Sequence, residues 1–131
     1  MEGDIAMKDL LFTNEHEWVR IQGEEAQIGV SDYAQGEMGD VVFVELPDVG
    51  KEVKPGDILA TLESVKAVSD VYAPVAGEVI KVNEELEDNQ ELINEDAYGK
   101  GWIAVIKFEG GQKIEGFMTA EEYESFIKGG E

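Results

Sequence analysis

The 131-residue sequence contains no cysteine and only one histidine. Without cysteine the chain can form no disulfide bond, no thiolate zinc site and no cysteine nucleophile. A single histidine cannot build a multi-histidine metal centre, and we expect neither a metal site nor catalytic residues. Any redox chemistry would therefore have to come from a group other than the protein's own sulfur.

Positive charge is also scarce. Ten Lys and Arg residues stand against 30 Asp and Glu, which gives a net charge of −20 and a pI of about 4.1. Such a surface repels phosphate backbones and anionic lipid, so we expect no nucleic-acid binding and no membrane docking. No apolar run approaches the ~20 residues of a membrane span, and the N-terminus MEGDIAMKDL resembles no targeting signal. These features favour a cytoplasmic protein, or a mature chain already trimmed.

The rest of the chain is typical of a small β-rich domain. Apolar residues make up 43% of the sequence and fall in short blocks separated by Gly, Pro, Asp and Asn. The length suits one domain. Strands are predicted at residues 16–21, 26–30, 41–46, 58–63, 71–73, 78–82 and 102–108.

Two helices have recognisable ends in the sequence. Ser31 can cap a short helix that extends to about Met38. Thr119 and Glu122 form a capping box, and apolar residues recur after them at helical spacing. We therefore predict a C-terminal helix at about residues 119–128.

A weak internal repeat joins two parts of the chain. Residues 39–44 resemble residues 77–82, and each copy is followed by a turn-rich stretch and an apolar pair, at 58–59 and at 92–93. The pattern predicts two similar strand–loop–strand halves packed face to face. Residues 63–70 would then form an exposed turn between the halves.

Lys66 stands alone in that turn, as the only basic residue between Lys54 and Lys81. A lone lysine on a surface turn is usually a solvating charge. This turn is unusual, however, because it lacks Gly, Asn-Gly or Asp-Gly and places the apolar residues Val65 and Ala67 beside the lysine. A lysine presented for covalent modification accounts for these features.

The segment Glu63-Ser64-Val65-Lys66-Ala67 resembles the lipoylation motif of the glycine cleavage system H protein family. Five further motifs stand in the family's order: HEW at 16–18, GDVVFVELP at 39–47, YAPVAGEV at 72–79, ELIN at 91–94 and GKGW at 99–102. The resemblance covers about residues 12–126.

The resemblance implies a mainly β fold of the lipoyl/biotinyl type. This fold is a sandwich of two antiparallel sheets with pseudo-twofold symmetry, short helices and a C-terminal helix. Residues 11–131 would form a single carrier domain, preceded by an N-terminal extension at residues 1–10.

The resemblance also implies a function without catalysis. Lys66 would carry lipoate as an amide, attached by lipoyl-attaching enzymes. The chain would act as a monomeric carrier subunit shared by glycine decarboxylase, aminomethyltransferase and dihydrolipoyl dehydrogenase. Tethering raises the concentration of the arm at whichever active site the domain docks beside.

Four other residues match positions that matter in the family. Glu63 and Gly77 match positions that govern modification of the lysine, although Gly77 could equally be a plain turn glycine. Glu17 and Asp70 match residues of the cleft that holds the aminomethyl-loaded arm, where a carboxylate suits a protonated amine. The alternative for both is an ordinary solvated acid.

Two positions depart from the family pattern. Glu15 replaces a serine that often lines the cleft, and Gln90 replaces a proline, which predicts a less rigid loop. The acid-rich residues 83–91 are interpreted as a solvated, partner-facing loop. We expect His16 to be structural, and Trp18 and Trp102 to belong to the core.

Three other functions remain in competition. A biotinyl carrier of a carboxylase has a similar architecture, but biotin domains flank the lysine with Met, whereas this chain has Val65 and Ala67. A lipoyl donor to 2-oxoacid dehydrogenases would need the same lysine and the same turn. A free-standing enzyme would need more catalytic groups than the sequence offers.

Overall fold

The computed structural model describes residues 10–108 and 117–129, which form two antiparallel sheets and three α-helices. The larger sheet has the strand order β1-β2-β3-β9-β8-β5, and the smaller has the order β4-β6-β7. The strands are β1 Leu10–Phe12, β2 Glu17–Gln22, β3 Glu25–Val30, β4 Val41–Glu45, β5 Glu52–Val53, β6 Ile58–Ser64, β7 Val68–Tyr72, β8 Gly77–Val82 and β9 Ala104–Lys107. The helices are α1 Asp32–Met38, α2 Leu92–Glu95 and α3 Ala120–Gly129.

The strands predicted from the sequence are all present in the structure, with ends that shift by a few residues. The largest shift is in β7, which begins at Val68 rather than Val71 because Ser69 and Asp70 pair with β6. The strands β1 and β5 were not predicted. They have three and two residues, which is too short for a hydrophobic alternation to show.

The caps predicted for the helices are confirmed. The Ser31 hydroxyl accepts the backbone N–H of Ala34 (3.0 Å) at the start of α1. The Thr119 hydroxyl accepts the N–H of Glu122 (3.2 Å), and the Glu122 carboxylate accepts the N–H of Thr119 (2.9 Å). This reciprocal pair is the capping box, and it sets the start of α3.

The two copies of the internal repeat lie in different sheets. Residues 41–44 belong to β4, which pairs with β6, whereas residues 77–82 form β8, which pairs with β9. The equivalence of the apolar pairs was wrong. Residues 58–59 begin β6, but residues 92–93 lie in α2, and the chain returns to the sheet only at β9.

The core lies between the two sheets and has a smaller aromatic annex. The main cluster joins residues of the large sheet, such as Ile28 and Ile106, to residues of the small sheet, such as Leu62. The annex packs under α3 and consists of Leu10, Phe12, Trp18 and Tyr123. The main cluster fills the space between the two sheets. The annex covers the opposite face of the large sheet, because Trp18 precedes Val19 of the main cluster on β2 and successive strand residues point to opposite faces.

Trp18 and Trp102 were both predicted to belong to the core. Trp18 is fully buried and its indole N–H donates to the carbonyl of Ala97 (2.8 Å), so the prediction of a core residue is confirmed. Trp102 is only partly buried and packs against the annex.

The N-terminal extension was predicted to end at residue 10, but the structure includes Leu10 in the fold. Leu10 is buried and pairs with Arg20 as the first residue of β1. Residues 1–9 lie outside the described part of the chain. Among the described helices, none is long and apolar enough to cross a membrane.

Candidate modification site and its cleft

Lys66 lies at the tip of the hairpin formed by β6 and β7. The N–H of Ser64 donates to the carbonyl of Ala67 (2.8 Å), and the Ser64 hydroxyl accepts the N–H groups of Lys66 (3.2 Å) and Ala67 (3.0 Å). This serine therefore closes the turn with its side chain. Its bonds explain how the turn forms without Gly, Asn-Gly or Asp-Gly.

The hairpin tip is also anchored to the segment between α1 and β4. The N–H of Val65 donates to the carbonyl of Asp40 (3.1 Å). Gly39 has a φ of 84° and faces the lysine, because a Cβ built at Gly39 would lie 3.2 Å from Cε of Lys66. A larger residue at position 39 would therefore be strained and would crowd the modified side chain.

Asn94 supports this anchor, a role that was not predicted. Its side-chain oxygen accepts the N–H of Val41 (2.9 Å), and its amide group donates to the carbonyl of Gly39 (2.9 Å) and to the side chain of Gln35 (2.9 Å). The residue is the last of the motif at 91–94, and that was the only available signal. It connects α2, α1 and β4 just below the lysine.

The side chain of Lys66 is exposed and forms no ion pair with any residue in the described ranges. The amine is therefore open to an approaching enzyme. Glu63 is exposed on the same hairpin, opposite Phe43 on one side and Val68 on the other.

An open cavity of about 500 Å³ lies beside the hairpin. Glu17 and Asp70 both line it, so the structure brings these two predicted residues together. Ala67, the neighbour of Lys66, is part of the same wall, as are Glu15 and Glu37. A group attached to Lys66 would have a carboxylate-rich cavity next to its point of attachment.

Glu17 is not the ordinary solvated acid of the alternative interpretation, because only 2% of it is exposed. One carboxylate oxygen accepts the hydroxyl of Thr13 (2.9 Å) and the other accepts the N–H of Tyr72 (2.7 Å). Burial raises its pKa to about 7, against the lowering effect of the Tyr72 and Thr13 hydrogen bonds, and the charge of Glu15 adds to the rise. Glu17 thus connects the large sheet to β7 of the small sheet.

Asp70 differs from Glu17 in its surroundings. It is exposed on the cavity rim, where its Oδ1 accepts the hydroxyl of Thr61 (3.2 Å), its cross-strand neighbour on β6. Its remaining acceptor sites face solvent. Of the two predicted cleft residues, Asp70 therefore offers the free carboxylate, and Glu17 lies beneath it with both oxygens engaged.

Glu17→Gln is expected to remove a pH dependence of stability. A folded-state pKa of about 7 against the ordinary 4.5 means that the folded chain binds this proton more tightly than the unfolded chain does. This pKa difference contributes about 3 kcal/mol to the free energy of unfolding. The contribution is fully present below about pH 4.5 and is lost as the pH rises through about 7. The difference between variant and wild type should therefore change by about 3 kcal/mol across this range, as measured by urea unfolding.

The control for this experiment is Glu37→Gln, since Glu37 is an exposed residue of the same cavity with no hydrogen bond to Glu17. The stability of that variant should fall with rising pH as the stability of the wild type does. Parallel stability profiles of wild type and Glu17→Gln would contradict the assignment.

Gly77 lies away from the hairpin, at the start of β8 in the large sheet. It is not a turn glycine, because it pairs in register with Val53 and does not have a positive φ. A Cβ at this position would collide with the carbonyl oxygen of Lys107 and would lie 2.8 Å from Cγ2 of Ile106. The residue therefore permits the close approach of β8 and β9.

The whole described region matches a known family. A family model with the description "Glycine cleavage H-protein" matches residues 10–130. The chain belongs to this family. The resemblance noted in the sequence is confirmed, and as a member the chain is a lipoyl carrier of the glycine cleavage system.

Individual members of the family are similar to this chain over nearly their full length. The glycine cleavage system H protein of Geobacillus kaustophilus (strain HTA426) is 50% identical over 123 residues, which cover 94% of this chain and 97% of that protein. The one from Bacillus subtilis (strain 168) is 50% identical over 121 residues, covering 92% and 95%. The crystal structure of a glycine cleavage system H protein from Mycobacterium marinum has a TM-score of 0.83 at 33% identity, and it covers 93% of this chain and 98% of that one.

The two residues that depart from the H protein pattern are Glu15 and Gln90, and the structure shows the surroundings of both. Glu15 is exposed on the wall of the cavity and adds a carboxylate there. The side chain of Gln90 donates to the carbonyl of Glu87 (2.7 Å), which ties the loop at the position where the family often has proline.

The acid-rich residues 83–91 are more ordered than the solvated loop predicted. Residues Glu84–Glu87 form a 3-10 helix that buries Leu86. Asn83 is buried, and its amide donates to the carbonyls of Lys100 and Trp102 (2.8 Å each). Within the described ranges, no group of three or more acidic or histidine side chains could hold a metal ion.

His16 is held by contacts within the fold, and it also lines the cavity. Its backbone has a φ of 72°, and its Nδ1 lies 2.6 Å from the hydroxyl of Tyr123. That hydroxyl also contacts the hydroxyl of Ser31 (2.7 Å), the cap of α1. The network joins α3 to the cavity side of α1, and burial raises the pKa of Tyr123 to about 12, so the phenol stays protonated.

Proposed function

We propose that Lys66 carries lipoate in amide linkage and that the chain shuttles an aminomethyl group and reducing equivalents in glycine cleavage. The observation that carries the proposal is the exposed amine on an anchored turn, in a chain of the glycine cleavage H-protein family. The residues fit the group, because glycine at position 39 leaves room along the lysine side chain.

When bound, lipoate would supply a disulfide that becomes reduced as glycine decarboxylase loads it. Aminomethyltransferase would unload the adduct and leave a dithiol, which dihydrolipoyl dehydrogenase would reoxidise to the disulfide. The absence of cysteine is consistent with this role, since the protein has no thiol of its own to exchange with the arm. The catalytic groups belong to the partner enzymes, and the chain acts as a non-catalytic carrier.

The cavity gives the chain a second task. Asp70 and Glu15 present exposed carboxylates on its wall, and Glu17 lies below with a pKa of about 7. Charge-assisted hydrogen bonds to a protonated amine are stronger than neutral ones. We infer that this wall holds the amine end of the loaded arm and limits its contact with water.

Glu63 and Gly77 are proposed to govern modification in different ways. Glu63 is exposed on the hairpin, where an attaching enzyme would meet it directly. Gly77 acts at a distance, because it allows β8 to pack against β9 and so maintains the large sheet.

The test combines the lipoylated protein with the three partner enzymes and measures carbon dioxide release from glycine. Release that depends on the lipoylated form supports the proposal, and the unmodified protein is the control. A lipoylated protein that gives no release, but donates its lipoyl group to 2-oxoacid dehydrogenase domains, would overturn it in favour of a lipoyl relay.

A further inference from the structure

Strand β4 exposes two apolar residues in succession. A regular strand alternates between its faces, but the pairing of β4 with β6 shifts register between Val41 and Phe43. As a result Val42 is 52% exposed and Phe43 is 48% exposed. Bulges of this kind often re-aim side chains beside functional sites.

These residues join others around Lys66. Phe43 is the cross-strand neighbour of Glu63, and Glu63 is the neighbour of Val68, so the three side chains project from one face of the small sheet. Val68 is 66% exposed, and Val65, next to the lysine, is 67% exposed. We call Val42, Phe43, Val65 and Val68 the apolar patch.

The border of the apolar patch is acidic. Glu63 lies within it, and the next cross-strand row contains Glu45 and Asp70, with Thr61 between them. The whole chain carries a charge of −20. A partner that covers this surface would therefore match it with an apolar area edged by Lys and Arg.

We propose that the apolar patch is the docking surface for the enzyme that attaches lipoate to Lys66. This inference rests on the proposed function. In that step the Lys66 amine attacks the carbonyl carbon of an activated lipoyl ester or anhydride. The C–N bond forms, the bond to the leaving oxygen breaks, and the nitrogen loses a proton.

The place of this chemistry distinguishes the attaching enzyme from the other partners. Amide formation occurs at Nζ of Lys66, so the enzyme must cover the side chains that surround it. The enzymes of glycine cleavage act on the far end of a long arm, so their chemistry does not require contact with the apolar patch. Well-packed side chains near the centre of an interface contribute most to its affinity.

The test uses Phe43→Ser and Val68→Ser with two matched controls. Val49→Ser and Ile58→Ser remove apolar side chains that are 61% and 48% exposed but lie outside the apolar patch. Each unmodified variant is titrated as the substrate of a lipoate ligase supplied with lipoate and ATP, and modification is followed by intact mass. We expect KM to rise about tenfold for the patch variants, with kcat nearly unchanged, and both controls to stay within about twofold of wild type.

Two further measurements keep the outcomes separate. Patch variants that have been lipoylated to completion should support glycine-dependent carbon dioxide release like wild type. Equal KM values for patch and control variants would overturn the docking surface and leave the proposed function standing. A wild-type protein that the ligase never modifies would overturn both.

Discussion

Lys66→Arg is expected to abolish glycine-dependent carbon dioxide release completely while the protein stays folded. Arginine keeps the positive charge and much of the length of lysine, but its guanidinium does not form the amide that lipoate needs. Lys66 is exposed and makes no ion pair within the described ranges, so the substitution breaks no ion pair of the fold. The reconstituted assay with the three partner enzymes measures the loss, and thermal unfolding checks the fold.

Lys54→Arg is the matched control, because Lys54 is also an exposed lysine close to a strand of the same domain. It should be lipoylated and active like wild type. Activity retained in Lys66→Arg would show that the arm is attached elsewhere. Activity lost in both variants would show that replacing a lysine by arginine impairs the protein at either position.

Gly77→Ala is expected to destabilise the fold by about 3 kcal/mol, at the upper end for an overpacked site. The new methyl group would meet the backbone carbonyl of Lys107 and the side chain of Ile106. Backbone atoms of a central strand pair cannot move away without breaking the ladder between β8 and β9. Urea unfolding monitored by tryptophan fluorescence measures the change.

Gly36→Ala provides the control. Gly36 lies in α1, and a Cβ there would have no atom within 4 Å. The substitution should stabilise the protein by about 0.5–1 kcal/mol, because glycine is a poor helix former. Equal stability of Gly77→Ala and wild type would contradict the packing role of Gly77. Any defect in lipoylation would then come from direct recognition of Gly77 by the attaching enzyme.

Sequence patterns predicted the hairpin and its lysine because the signals there are local. The strands around Lys66 contain several β-branched and apolar residues, and the helix ends at Ser31 and Thr119 carry their caps within three residues. The family motifs led to the proposal that this lysine carries lipoate. None of these inferences depended on contacts between distant parts of the chain.

The contacts that define the cleft could not be predicted in the same way. Glu17 bonds to Tyr72, 55 positions away, and Asn94 bonds to Val41, 53 positions away. Whether a carboxylate is free on a rim or buried beneath it depends on how the two sheets pack. The register shift that exposes Val42 and Phe43 likewise has no signature in a run of β-branched and aromatic residues.

Attachment of lipoate to Lys66 can be measured by intact-mass analysis of the protein from its native host. We expect the wild type to gain the mass of one lipoyl group and Lys66→Ala, expressed in the same host, to gain none. A biotinyl increase, or an unmodified wild type in cells with an active lipoate-attaching enzyme, would contradict it.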